Sequence, residues 1–146
     1  MALPGTSDEF RSKKYWDDFF LERGGRAFEW YGEWGDYGEE LLRLCNEESR
    51  VGVVGCGNSV LSARLYDGGV KRVRNFDFSE RVIAEMQREH ETARPGMTWE
   101  ISDMRDMRDI VEDDGLDVVV DKGALDALAS ADTPDVAKDV ASFFDE

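Results

Sequence analysis

This chain of 146 residues predicts an α/β fold built on a parallel sheet, and three observations carry that prediction. Beyond Arg50, short apolar runs at 51–54, 73–76, 97–101 and 116–120 alternate with amphipathic stretches, the pattern of successive βα units. The first run leads straight into a glycine turn, "GCGNS", which opens onto a helical stretch. An aspartate then recurs where the later runs end: Asp77, Asp103 just past Ile101, and Asp121.

Before the sheet, residues 1–49 form a separate N-terminal helical and aromatic cap, and residues 50–146 the sheet-bearing part. Residues 1–7 read as a loose tail. Residues 8–23 read as one helix, with Trp16, Phe19 and Phe20 at helical spacing and Gly24-Gly25 as its stop. The segment "AFEWYGEWGDYG" holds Phe28, Trp30, Tyr31, Trp34 and Tyr37, a ring density that must be covered by something. Leu41, Leu42, Leu44 and Cys45 predict a helix over 39–46 that can begin as early as Trp34.

Within the sheet region, residues 59–67 form a helix bearing Leu61 and Leu65, ended by Gly68-Gly69. Ser79 is placed to cap a helix through His90, with Val82, Ile83 and Met86 inward. His90 itself is expected at the surface. Pro95-Gly96 breaks the chain before the third strand, and Thr133-Pro134 starts a last helix carrying Val136, Val140, Phe143 and Phe144.

Charge narrows the partners. There are 33 acidic against 18 basic residues, for a net charge of −15, so nucleic acid and anionic membrane surfaces would be repelled. Residues 100–146 alone hold 15 acidic residues against Arg105, Arg108, Lys122 and Lys138. That negative end is either a solvated face or a docking surface for a cationic substrate. No apolar run can span a bilayer and the first ten residues carry no signal-peptide core, so a cytoplasmic address is expected. Cys45 and Cys56 have no metal or redox spacing and read as reduced thiols. No metal site and no catalytic triad is expected.

The chemistry gathers at "VGVVGCGNS". A glycine turn between a buried strand and a helix start lets a ligand approach the backbone closely. The dinucleotide fingerprint would require Gly or Ala at position 60, where Val60 stands, and no Gly-Lys-Ser/Thr follows as a P-loop needs. Asp77 ends the second strand at the distance where such sheets place an acid on ribose hydroxyls; the alternative is a turn or capping role. Asp103 reads either as an acceptor for an adenine amino group or as a surface acid. With Asp121 these acids would line one crevice outside the strand ends.

The stretches "VVGCGNSVLSARLYDGG", "NFDFSERVI", "RPGMTWEISDM" and "DVVVDKGALDAL", with "YWDDFFLERGGRAFEWYGEW" before them, resemble the S-adenosylmethionine-dependent methyltransferases of the methyltransferase-like group that modifies elongation factor 1-alpha. The resemblance runs over residues 10–129. It implies a Rossmann-like class I methyltransferase fold, an enzyme, and S-adenosylmethionine as cofactor with S-adenosylhomocysteine as product. It also implies site roles. Gly55, Cys56 and Gly57 would hold the methionine part, Asp77 and Phe78 the ribose and one adenine face, Asp103 and Met104 the adenine, and Lys122 would lie beside the cofactor. Trp16, Phe20 and Trp30 would close over it, with Phe19 and Phe28 packing in the core.

The family sheet resembles the order 3-2-1-4-5-7-6, and this chain offers four strands in the order 3-2-1-4, lacking strands 5–7. The expectation is a C-terminally truncated member, with its fourth-strand edge covered by a second copy or by missing chain. The acceptor would be a protein lysine or N-terminal amine, on elongation factor 1-alpha or another basic protein. The alternative is a truncated, non-catalytic module that binds the cofactor or its product.

Overall fold

The computed structural model describes residues 2–112 and 114–144; Met1, where the expected tail begins, lies outside them. Its centre is a four-stranded sheet of β1 (Arg50–Val54), β2 (Arg72–Asp77), β3 (Met97–Ile101) and β4 (Val118–Asp121). All pairs are parallel and the order is β3-β2-β1-β4, as the resemblance implied. Register puts Val54 opposite both Phe76 and Asp121, and Asp77 opposite Ile101, so the carboxyl ends of the strands share one edge. The chain runs outward from β1 through β2 to β3 and then crosses back to β4 on the other side of β1, and this reversal of strand order opens a crevice above that edge.

The helices are α1 (Ser7–Phe10), α2 (Lys13–Arg23), α3 (Trp34–Leu44), α4 (Leu61–Asp67), α5 (Glu80–His90), α6 (Ala124–Leu128) and α7 (Pro134–Phe144). The single helix expected over 8–23 is two. Ser12 has an extended backbone and its hydroxyl accepts the Tyr15 N–H at 3.2 Å, so an N-cap interrupts the run. Thr6 likewise caps α1 through the Glu9 N–H, which makes the end of the expected tail ordered. Ser79 caps α5 as expected. Helix α6 was not legible; Asp121 creates it by accepting the Leu125 N–H at 2.9 Å and the Gly123 N–H at 3.3 Å.

Alternation along the strands fills both faces of the sheet. Val51, Val53 and Val73 pack with Leu61 and Leu65 of α4, Val82, Ile83 and Met86 of α5, and Phe19 of α2. Burying one such side chain is worth about 1.5–3 kcal/mol, so this face dominates stability. The opposite face carries a smaller cluster, Val54, Phe76 and Met107, against which Leu116 and Phe143 pack. On the β4 edge Val120 is buried but Val119 is 54% exposed, so the strand is apolar on both faces yet covered on one.

His90 corrects the expectation of a surface residue. It is 6% exposed and its ring stacks on Trp99 at a centroid distance of 5.6 Å, because α5 lies directly on β3. Its Nδ1 lies 3.0 Å from Arg94 Nη1, and burial pushes its pKa below the ordinary histidine value.

Candidate functional site

The glycine turn is shaped by its backbone. Gly55 and Gly57 sit at φ +56° and +50°, a region side chains penalise. A Cβ on Gly55 would also lie 2.2 Å from Cβ of Ala124, so the close approach of α6 demands glycine there. The turn is pinned to β2 where the Cys56 N–H donates to the Phe76 carbonyl at 3.0 Å. The Cys56 thiol is buried and raised well above its usual pKa, first by burial and then by the Asp77 charge, so it stays protonated and is no nucleophile.

Asp77 meets the turn from the end of β2. Its Oδ2 accepts the Gly57 N–H and its Oδ1 the Ser79 N–H, each at 2.9 Å. Burial pushes its pKa up to about 6, against the downward pull of those two amides.

Two side chains fasten the aromatic segment between α2 and α3 onto the turn. Asn58 donates to the Arg26 carbonyl and accepts the Phe28 N–H, both at 3.0 Å. Glu29 accepts the Val60 N–H, the Ser59 hydroxyl and the Lys122 ammonium, all at 2.8 Å. Lys122 also donates to the Trp30 carbonyl at 3.0 Å. The Trp30 ring lies against Gly123, where a Cβ would come within 2.1 Å of it, and its Nε1–H is buried without a partner. Trp16 donates from Nε1 to the Phe10 carbonyl at 2.8 Å, which fixes its ring edge-on to Phe19.

These groups enclose one cavity of about 200 Å³ at the carboxyl edge of the sheet, room for an organic molecule rather than for one or two waters. Trp16, Phe20, Trp30, Gly55, Cys56, Gly57, Asp77, Phe78, Asp103, Met104 and Lys122 all line it. Asp121 does not; its carboxylate is spent on capping α6. Phe19 is fully in the core as expected, whereas Phe28 both packs against the core and reaches the cavity wall.

Several wall residues went unread in the sequence. Arg105 grips Asp103 through Nε at 2.9 Å and Nη2 at 2.6 Å, holding that carboxyl below its usual pKa. Asp139 of α7 pairs with both Arg105 and Arg11, each of which lines the cavity. Arg11, Arg105 and Lys122 are the cations in the wall among the described residues, and every one is held by a carboxylate. Asp103 and Arg105 pair two residues apart along the chain, whereas Glu29 reaches Lys122 and Asp139 reaches Arg105 across more than 30 residues.

Comparison with known proteins follows the same lines. The profile of the family described as a methyltransferase domain matches residues 51–145. The human protein named eEF1A lysine and N-terminal methyltransferase is 44% identical over 126 residues, 86% of this chain and 18% of that protein. Its Drosophila melanogaster homolog is 36% identical over 99% of this chain and 21% of its own length. Mouse EEF1A lysine methyltransferase 4 is 34% identical over 89% of this chain and 50% of its own length. The chain thus spans about a fifth to a half of the relatives it matches. Among solved structures, magnesium protoporphyrin IX methyltransferase from Synechocystis PCC 6803, with bound SAM, shares the fold at a TM-score of 0.62 and 17% identity, over 98% of this chain and 73% of that one. The sheet order, the glycine turn and a family profile that spans every strand beyond Arg50 agree, and the chain belongs to the methyltransferase domain family.

Proposed function

We propose that this chain binds S-adenosylmethionine and serves in its transfer of a methyl group to a protein amine, a lysine side chain or an N-terminus. One observation carries the reading: a single cavity is lined at once by the glycine turn, the acid ending β2, the residues following β3 and β4, and the aromatics of the N-terminal segment. The names of the relatives supply the acceptor class, with elongation factor 1-alpha as the first candidate. A cytoplasmic setting is part of the proposal.

The wall fits an adenosyl ligand that carries no phosphate. A phosphate needs free cations or amides, and Arg11, Arg105 and Lys122 are all neutralised. Nicotinamide dinucleotides are thereby disfavoured on charge as well as by Val60. In this reading Asp77, preset by Gly57 and Ser79, accepts the ribose hydroxyls, while Phe78, Asp103 and Met104 border the adenine. Gly55, Cys56 and Gly57 let the methionine part lie on the backbone, and Trp16, Phe20 and Trp30 exclude water. When bound, the cofactor supplies an electrophilic sulfonium methyl. The chain's own residues align it and keep the site dry, which suits an in-line transfer to an amine that has lost its proton.

Calorimetric titration with S-adenosylhomocysteine and with NAD tests the binding: the first is expected to bind and the second not to. Asp77→Ala is expected to lose S-adenosylhomocysteine. Unchanged affinity in that variant, or preference for NAD, overturns the reading. Mass spectrometry of elongation factor 1-alpha incubated with the chain and S-adenosylmethionine then tests transfer, an added methyl mass being the expected result.

A further inference from the structure

Glu29 does more than tie a loop. Its carboxylate, 8% exposed, sits behind the cavity wall and faces Lys122, whose side chain is 15% exposed and forms part of that wall. Three donors converge on it, from Ser59, Val60 and Lys122. The first two need only an oxygen acceptor. The third is a full charge on a largely buried side chain, where an unneutralised ammonium would project its field across the cavity.

The remaining wall charges do not substitute for it. Asp103 and Asp139 are engaged by Arg105 and Arg11, and Asp77 is fixed on the amides of Gly57 and Ser79. Counting these groups with Glu29, the cavity has three cations against four carboxylates. Replacing Glu29 by a neutral residue would turn the Lys122 side of the wall positive.

We infer that Glu29 is a specificity-determining residue: by neutralising Lys122 it makes this cavity tolerant of a ligand that carries a positive charge, the sulfonium of S-adenosylmethionine. The inference rests on the cofactor reading above. It separates two roles that one carboxylate fills here, a geometric role toward Ser59 and Val60 and an electrostatic role toward Lys122.

The two ligands of the reaction separate them experimentally, because S-adenosylmethionine and S-adenosylhomocysteine differ by a methyl group and one positive charge. Both are titrated calorimetrically into the wild type, Glu29→Gln, Lys122→Met and the double variant. Glu29→Gln keeps an oxygen for the Val60 N–H and is expected to weaken S-adenosylmethionine on the order of tenfold more than S-adenosylhomocysteine. Lys122→Met, which leaves the carboxylate unpaired, is expected to shift the ratio in the opposite direction. The double variant is expected to return the wild-type ratio. Equal losses for both ligands in Glu29→Gln, with no shift in Lys122→Met, would overturn the inference and leave Glu29 a tether alone. If the wild type binds neither ligand, the cofactor reading falls and takes this inference with it; binding of both with an unchanged ratio removes this inference only.

Discussion

Asp77 Oδ2 accepts the amide N–H of Gly57 at 2.9 Å, so the carboxylate that ends β2 braces the glycine turn that ends β1. The acid is therefore preset for a ligand before one arrives, and its burial carries a cost. With its pKa pushed up to about 6 from 3.8, the folded state holds the proton more tightly than the unfolded chain does. Stability from this group is fully present below the unfolded value and is lost as pH rises through the folded one. Between about pH 4 and 6.5 the wild type should lose roughly 2–3 kcal/mol relative to Asp77→Asn. Urea unfolding midpoints across that range check it; parallel curves for the two proteins would count against a buried, unpaired carboxylate. Asp103, held low by Arg105, acts only below this window.

The two glycines of the turn should not be equally replaceable. Both have positive φ, which costs an alanine about 1–2 kcal/mol. At Gly55 the new methyl would also meet Ala124 Cβ at 2.2 Å, whereas at Gly57 it would meet the Phe20 ring at 3.2 Å, a side chain able to give. Gly55→Ala is expected to destabilise by several kcal/mol and to displace α6. Gly57→Ala should stay folded but push Phe20 into the cavity and weaken S-adenosylhomocysteine. Thermal unfolding paired with calorimetry distinguishes them, and equal melting temperatures would refute the α6 contact.

His90 gives a pH effect of opposite sign to that of Asp77. Its pKa is lowered, chiefly by burial, so its contribution is present above the unfolded value near 6.5 and is lost as pH falls through the folded one. His90→Phe keeps a ring against Trp99 and should flatten that part of the profile. His90→Ala leaves a hole and should cost about 2–4 kcal/mol at pH 7. If His90→Phe retained the wild-type slope, the histidine would not be the titrating group.

Legibility followed the range of the interactions. Strand positions, the glycine turn and the Ser79 cap depend on neighbours within a few residues, and the sequence pattern placed them. The break at Ser12 is also local, but its hydroxyl cap competes with an unbroken helical periodicity on both sides. His90, Glu29 and Asp139 are different. What each does is decided by Trp99 on β3, Lys122 after β4 and Arg105 after β3, none of which periodicity can bring together. Asp121 looked like Asp77 along the chain, each standing three residues before a helix; it parted from Asp77 because Ser79 caps α5 with its own hydroxyl, whereas Gly123 has no side chain and leaves the capping of α6 to Asp121. All the wall residues named from the resemblance share one cavity, while the carboxylates that neutralise its cations from outside the chain segments it quoted, or from behind the wall, went unread.

Asp139 ties α7 to the cavity. Burial alone would raise its pKa, but Arg11 and Arg105 overcome that and hold it low, so the carboxylate stays ionised between them. Apart from this bridge, α7 is secured by Val136, which is buried, and by Phe143 against the smaller core cluster; Phe144 is 70% exposed. Asp139→Asn should therefore release the helix with little effect on the sheet, at a cost of about 1–2 kcal/mol. Amide exchange is the direct measurement, with faster exchange expected in α7 and none in β1. Because Arg11 and Arg105 would then be left without their shared anion, the wall also gains positive charge, and the same variant should bind S-adenosylmethionine less well relative to S-adenosylhomocysteine. Unaltered protection of α7 would show that Val136 and Phe143 suffice to hold it.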